Sequence, residues 1–219
     1  MLSPYNEKNA LKHSDNQKFL SKKSNNKVRI IGGKLRGRNL NFSDTEGLRP
    51  TGNRIKETLF NWLTPYIIVG SNCLDLFAGS GSLGVESVSR GALSVTMVEK
   101  NHSAFAVLKR NCSCLNMENI TIVEADALKW LTEKNDSKPF DVVFLDPPFD
   151  SNLLTACCSL LAANDLLAKK SYIYIETDQS RLAPITPTDW RLLKEKTSGQ
   201  VAYKLYYRDE DYKLKHMSI

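Results

Sequence analysis

No run of apolar residues in the chain approaches the roughly 18 that a membrane-crossing helix needs, so no such helix is expected. The front of the chain carries lysines without an apolar core or a small-residue cleavage site, so a secretory leader is not expected either. Cysteines are few and odd in number, five in all, and none forms a C-x-x-C pair. They read as reduced thiols of a cytoplasmic protein rather than as disulfides or zinc ligands. The three histidines, His13, His102 and His216, are scattered, and no metal site is expected. Internal repeats are absent, and low complexity is confined to the first 26 residues.

A chain of 219 residues with 42% hydrophobic and 25% charged residues suits one globular domain with a modest appendage. The net charge of +6 is unevenly divided. Residues 1–38 hold ten Lys and Arg against Glu7 and Asp15, which leaves residues 39–219 slightly acidic. A basic front of this kind is suited to phosphates. Residues 1–26, rich in Asn, Ser and Lys, have no period and are expected to be a disordered tail. Val28–Ile31, a Gly32-Gly33 turn and Leu35–Leu40 then predict a hairpin that alternates apolar with basic residues. Its cations Arg29, Lys34, Arg36 and Arg38 would contact nucleic acid.

The chain's organising stretch is Leu74-Asp75-Leu76-Phe77-Ala78-Gly79-Ser80-Gly81-Ser82-Leu83-Gly84. It reads as a buried strand, a glycine turn and a helix start. Gly79, Gly81 and Gly84 have G-x-G-x-x-G spacing: one glycine for the turn, one for ligand approach, one for helix–strand packing. The next strand, Val95–Val98, ends in Glu99, placed to grip a ribose diol. No lysine follows the glycines, which excludes a P-loop, and no cation lies in the loop to meet a pyrophosphate.

Further along, a helix is predicted over Asn53–Leu63 with the stripe Ile55, Leu59, Trp62 and Leu63. Arg54, Lys56 and Glu57 fall on its wet face or form part of a lid. The chain then alternates: helix Asn101–Leu115, strand Ile120–Val123 leading to Asp126, a short helix Leu128–Leu131, strand Asp141–Leu145, helix Leu153–Leu161, strand Tyr172–Ile175. Trp190–Thr197 and Gln200–Tyr207 form a closing antiparallel hairpin. Together these predict an α/β, doubly wound, mostly parallel sheet.

Ligands of such sheets bind beyond the carboxyl ends of the strands. Asp75, Glu99, Asp126 and Asp146 all end strands there. Asp75 would fix the glycine loop or meet an ammonium, and Asp126 would meet an adenine amine. Asp146-Pro147-Pro148-Phe149 is a rigid corner that offers the Asp146 carboxylate and the Pro147 carbonyl as two acceptors. Two acceptors match the two hydrogens of an exocyclic amine, and Phe149 offers a ring for stacking a base.

The pattern D-x-F-A-G-S-G with D-P-P-F resembles the class I S-adenosylmethionine-dependent methyltransferases that act on exocyclic amines. More narrowly, Arg29-Ile30-Ile31-Gly32-Gly33, Arg36-Gly37-Arg38, Leu48-Arg49-Pro50-Thr51, Glu57-Thr58-Leu59-Phe60-Asn61-Trp62-Leu63 and Gly199-Gln200-Val201 resemble the bacterial RsmD family, over about residues 28–208. The family methylates N2 of one guanine in small-subunit (16S) ribosomal RNA. The resemblance implies the seven-stranded, Rossmann-like sheet with an antiparallel last strand, and S-adenosyl-L-methionine as cofactor. It implies cofactor contacts at Asp75, Phe77, Gly79, Gly81, Gly84, Glu99, Lys100, Asp126, Ala127, Thr51 and Arg54, and a catalytic set Asp146, Pro147, Pro148 and Phe149. It also implies a cytoplasmic monomer acting on 16S rRNA, within an assembled or partly assembled particle. Gly52-Asn53 stands where relatives often have Thr-Asp. The expected divisions are a tail (1–26), a hairpin-and-helix extension (27–65), the methyltransferase domain (66–208) and a second tail (209–219). A DNA adenine-N6 methyltransferase, a protein-amide methyltransferase and a non-catalytic ribosome assembly factor are the rival readings.

Overall fold

The computed structural model describes residues 27–42, 52–66, 68–133, 138–148 and 153–211. The expected tail 1–26, Thr51, Phe149 and most of the C-terminal tail lie outside the described residues. Among the described residues no helix is long and apolar enough to cross a membrane, and no cluster of potential metal ligands occurs.

Seven strands build the main sheet: β3 (Asn72–Asp75), β4 (Ser94–Glu99), β5 (Ile120–Glu124), β6 (Phe140–Leu145), β7 (Leu167–Asp178), β8 (Trp190–Ser198) and β9 (Val201–Asp209). Their spatial order is β5-β4-β3-β6-β7-β9-β8, with β9 antiparallel to both neighbours. The sheet expected from the alternation is thus present. Its chain order reverses between β3 and β6, the switch point where a crevice opens.

Period-2 alternation sends successive side chains to opposite faces. Cys73, Met97, Val142, Phe144 and Tyr174 enter one core with α1 (Asn53–Leu63), α2 (Ser82–Ser89) and α3 (His102–Cys114). Leu74, Val98, Val143, Leu145 and Ile173 enter the other with α4 (Ala127–Thr132) and α5 (Leu153–Ala163). Neither face is left wet, which is why the central strands read as nearly continuous apolar runs.

Helix α1 has the predicted bounds, but its buried face differs from the predicted stripe. Lys56 and Phe60 are fully buried, whereas Trp62 is only half-buried, against Tyr203. Lys56 therefore belongs to neither a wet face nor a lid. Its Nζ donates to the Arg29 carbonyl at 2.8 Å, and burial lowers its pKa to about 8 against the opposing pull of Glu86. Gly52, at the N-cap of α1, offers no side chain to the orphan amides of the first turn. In α3, Leu108 and Cys112 are buried as predicted, while Phe105 and Leu115 are only half-buried.

The hairpin is shorter than its sequence suggests. Strands β1 (Lys27–Arg29) and β2 (Asn39–Asn41) pair antiparallel, and residues 30–38 form a compact loop between them. The return strand does not begin at Leu35 because that stretch is bonded elsewhere. Lys34 N donates to the Ser89 carbonyl at 2.7 Å and Leu35 N to Ser89 Oγ at 2.9 Å. Gly33, at φ +71°, lies so close to α2 that a Cβ there would stand 1.7 Å from the Ser89 carbonyl oxygen. Turn and helix end therefore fit only as glycine against backbone.

Candidate active site

At the end of β3 the chain turns through Leu76–Gly81 into α2. Asp75, only 2% exposed, accepts from Gly84 N at 3.0 Å and folds the turn back onto its own strand. Glu99, at the end of the adjacent β4, accepts from Gly79 N at 2.8 Å through one oxygen and from Asn101 N at 2.6 Å through the other. Two carboxylates on neighbouring strands thus hold the glycine turn between them.

The three glycines have separate physical reasons. Gly79 and Gly81 take positive φ, +52° and +82°, where a side chain is strained. A Cβ on Gly81 would also stand 2.5 Å from Leu108 Cδ1, and one on Gly84 would stand 2.5 Å from Met97 Sδ. Close helix–strand packing at the third glycine matches the sequence reading. At the second, the crowding comes from the protein's own α3, so its small size serves that contact as well as any ligand approach.

Asp75 pairs with Phe144 across β3 and β6, and Leu145 pairs with Ile175 across β6 and β7. Asp146 therefore emerges on the strand beside Asp75, and the proline corner adjoins the glycine turn. Burial first, then the charges of Asp146 and Glu99, raise the Asp75 pKa from the usual carboxylate range to about 7. Pro147 is buried and Pro148 exposed.

Asp126 lies farther along the same edge, where its Oδ1 caps α4 by accepting from Leu128 N and Lys129 N. Its Oδ2 accepts from Lys100 Nζ at 2.8 Å, which is the first reason its pKa is lowered. Ala127 follows, buried, and Phe77 packs half-buried against the α4–α5 core. Arg54 is exposed on α1. Arg29, Lys34, Arg36 and Arg38 are all exposed, while Val28, Ile30 and Leu40 between them are buried. The alternation in the hairpin is therefore real, and its cations are displayed outward.

A cavity of about 610 Å³ opens beside the proline corner, lined by Pro147, Pro148, Leu154, Glu176, Arg181 and Leu182 among others.

The sequence reading passed over four polar residues, Glu86, Arg90, Asn111 and Glu176, and the first three hold these parts together. Glu86, fully buried in α2, accepts from Ile31 N at 2.9 Å and from Arg90 Nε at 2.8 Å. Arg90 lies over the Phe60 ring at 4.8 Å. Asn111, buried in α3, exchanges two hydrogen bonds with the backbone of Asn41 in β2 and donates to the Ser80 carbonyl of the glycine turn at 3.2 Å. Glu176, two residues before the end of β7, had a visible signal: it is one more acid directly after an apolar run predicted as a strand, Tyr172–Ile175, like Glu99 and Asp146.

The donor set fits a nucleoside carrying a positive end. Three carboxylates, Asp75, Glu99 and Asp146, converge at the switch point, and Lys100 on that edge is engaged with Asp126. The three carboxylates repel a phosphate there.

Comparison with known proteins gives a consistent result. The family model described as conserved hypothetical protein 95 matches residues 28–207. Ribosomal RNA small subunit methyltransferase D of Haemophilus influenzae is 47% identical over 192 residues, covering 87% of this chain and 98% of that protein. The protein of the same name from Escherichia coli K12 is 44% identical over 182 residues, covering 83% and 90%. The solved structure of yhhF from Escherichia coli superposes with a TM-score of 0.77 at 42% identity, covering 84% of this chain and 98% of that one.

Proposed function

Because the chain belongs to the ribosomal RNA small subunit methyltransferase D (RsmD) family of S-adenosyl-L-methionine-dependent enzymes, we propose that it methylates the exocyclic N2 amine of one guanine in 16S rRNA. Its substrate in this reading is a folded, partly or fully assembled small-subunit particle, and it acts as a cytoplasmic monomer. The observation that carries the reading is the adjacency of the glycine turn and the double-proline corner on neighbouring strands β3 and β6.

S-adenosyl-L-methionine, when bound, supplies an electrophilic methyl group on a sulfonium. The chain's own residues do the rest. Asp75 and Glu99 hold the glycine turn open in one shape, and their charge, with that of Asp146, suits a cationic ligand. A lone pair remains on each Glu99 oxygen and on Asp126 Oδ2, so Glu99 can accept from a ribose diol and Asp126 Oδ2 from an adenine amine while keeping their present partners. Phe77, Lys100 and Ala127 flank those contacts, and Arg54 on α1 and Thr51 add to the cofactor's grip.

Asp146 and the Pro147 carbonyl accept the two hydrogens of the guanine amine. That arrangement aims the nitrogen lone pair and stabilises the positive charge that grows as the bond forms. Pro147 and Pro148 keep the acceptors rigid, and Phe149 supplies the stacking face for an unpaired base. The surplus N2 proton leaves toward Asp146 or solvent. Arg29, Lys34, Arg36 and Arg38 bind RNA phosphates and position the particle, a contact that identifies shape more than sequence.

The test is labelled methyl transfer to under-methylated small-subunit particles, naked 16S rRNA and DNA in parallel. The reading expects rapid labelling of the particle. Preferential labelling of DNA would favour an adenine-N6 enzyme, and labelling of none a binding role without transfer.

A further inference from the structure

Glu176 is a buried carboxylate at the same sheet edge that the mechanism above does not use. It is 3% exposed, and Tyr174 Oη donates to its Oε1 at 2.8 Å. Leu145 faces Ile175 in parallel register, so Asp146 and Glu176 are the next residues on adjacent strands. Residues in register point to the same face, about 4.8 Å apart. Phe144 faces Asp75 on one side and Tyr174 on the other. Asp75, Asp146 and Glu176 therefore share one face at the ends of three consecutive strands. Burial first, and then the charges of Glu176 and Asp146, raise the Tyr174 phenol above its ordinary pKa. Glu176 and Pro147 both line the cavity beside the corner, whose rim carries the apolar side chains Leu182 (98% exposed) and Ile185 (76% exposed).

A second acid beside Asp146 has little to add for an isolated amine, which has only two hydrogens. Guanine offers more. Its Watson–Crick edge presents N1–H directly beside the N2 amine, two donor groups in a row. Adenine, and any purine without the N1 proton, presents a lone pair there, which a carboxylate repels. A carboxylate has about four lone-pair sites, and the bond from Tyr174 fixes the group's orientation.

We propose that Glu176 accepts the N1–H of the target guanine beside the N2 amine held at Asp146, and so selects guanine over purines whose N1 is an acceptor. The inference rests on the guanine-N2 reading and makes Glu176 a specificity residue of that site.

The test replaces the methylated guanine, at the position the wild-type chain itself modifies, by 2-aminopurine. That base keeps the N2 amine and carries a lone pair at N1. Wild-type kcat/KM is expected to favour guanine by about 10- to 100-fold, the discrimination typical of a well-made pair of base-edge contacts. In Glu176→Gln the amide still accepts from Tyr174 and can donate to N1, so the preference should fall to within about threefold, with S-adenosylmethionine affinity nearly unchanged. A wild-type preference below threefold overturns the inference, as does an undiminished preference in the variant. 2-Aminopurine also lacks O6, so the fall in preference from wild type to variant isolates N1; should Glu176→Gln fail to fold, a wild-type ratio below threefold still overturns the inference. Absence of N2-methylguanosine from the wild-type product overturns the parent reading and this inference with it. Its presence with unchanged discrimination in the variant overturns this inference alone.

Discussion

The crevice at the switch point and the hairpin at the front of the chain are opposites in charge and in how they are held. The crevice gathers Asp75, Glu99 and Asp146 at the ends of buried strands, where burial and then the neighbouring charges push Asp75 up to about 7. The hairpin displays Arg29, Lys34, Arg36 and Arg38 in water, where their charge costs little. Its attachment is nonetheless buried: Glu86 and Lys56 are both 0% exposed. An acidic pocket for a cationic cofactor and a basic surface for RNA would attract each other if both were mobile. The protein keeps them apart by anchoring each through hydrogen bonds to backbone. Asn111 touches both, through Asn41 and Ser80.

The largest effect should come from cutting the hairpin's buried anchor. Glu86→Ala strips Ile31 N of its acceptor and leaves Arg90 without its partner carboxylate. Removing one member of a buried ion pair typically costs about 3–5 kcal/mol, and the loss should appear in denaturant unfolding. A cost below about 1 kcal/mol would show that the hairpin is held by something else.

Next in size is the acceptor corner. Asp146→Ala should lower methyl transfer by about 10²–10³, the usual loss when one preorganised transition-state contact is removed. Cofactor affinity, measured by calorimetry, should stay within a few fold. Equal loss of both would place Asp146 in cofactor binding instead.

Asp75 gives a pH signature that the hairpin should lack. Its folded pKa, about 7, lies above the ordinary aspartate value of 3.8. The folded state therefore binds more protons than the unfolded state between those values, and Asp75 makes stability fall as pH rises across that window. A cationic ligand favours the ionised form, so S-adenosylmethionine affinity should rise several-fold between pH 6 and pH 8 and release protons on binding. In Asp75→Asn the rise should flatten. A persistent rise in that variant would assign the titration to another group.

The smallest effect belongs to the exposed cations. Replacing Arg36 and Arg38 together with Ala should weaken RNA association and lower the slope of log affinity against log salt by about 2, one per phosphate contact. Protein stability should hardly change. Unchanged binding at low salt would remove the hairpin from the interface.

Sequence alone exposed the crevice far better than the joint between crevice and hairpin. Glycine spacing, acids after apolar runs and the double proline are local signals, and they place Asp75, Glu99 and Asp146 once a parallel sheet is granted. The bounds of α1 were equally legible from its 3.6 period and from Pro65. Burial of Lys56 was not, because it depends on a carbonyl of Arg29 delivered by a different element. Glu86 and Asn111 are polar residues on inward helix faces, and a hydrophobic pattern has no means of marking them. The hairpin's loop was hidden for the same reason: Lys34 and Leu35 alternate like a strand but spend their amides on Ser89.

The most direct test of the central claim is to map modified nucleosides in 16S rRNA, by mass spectrometry of nuclease fragments, from cells with and without this protein. The account predicts one guanine that carries an N2-methyl group in the first sample and is unmodified in the second. Identical guanine modification in both, or a difference confined to adenine, would contradict it.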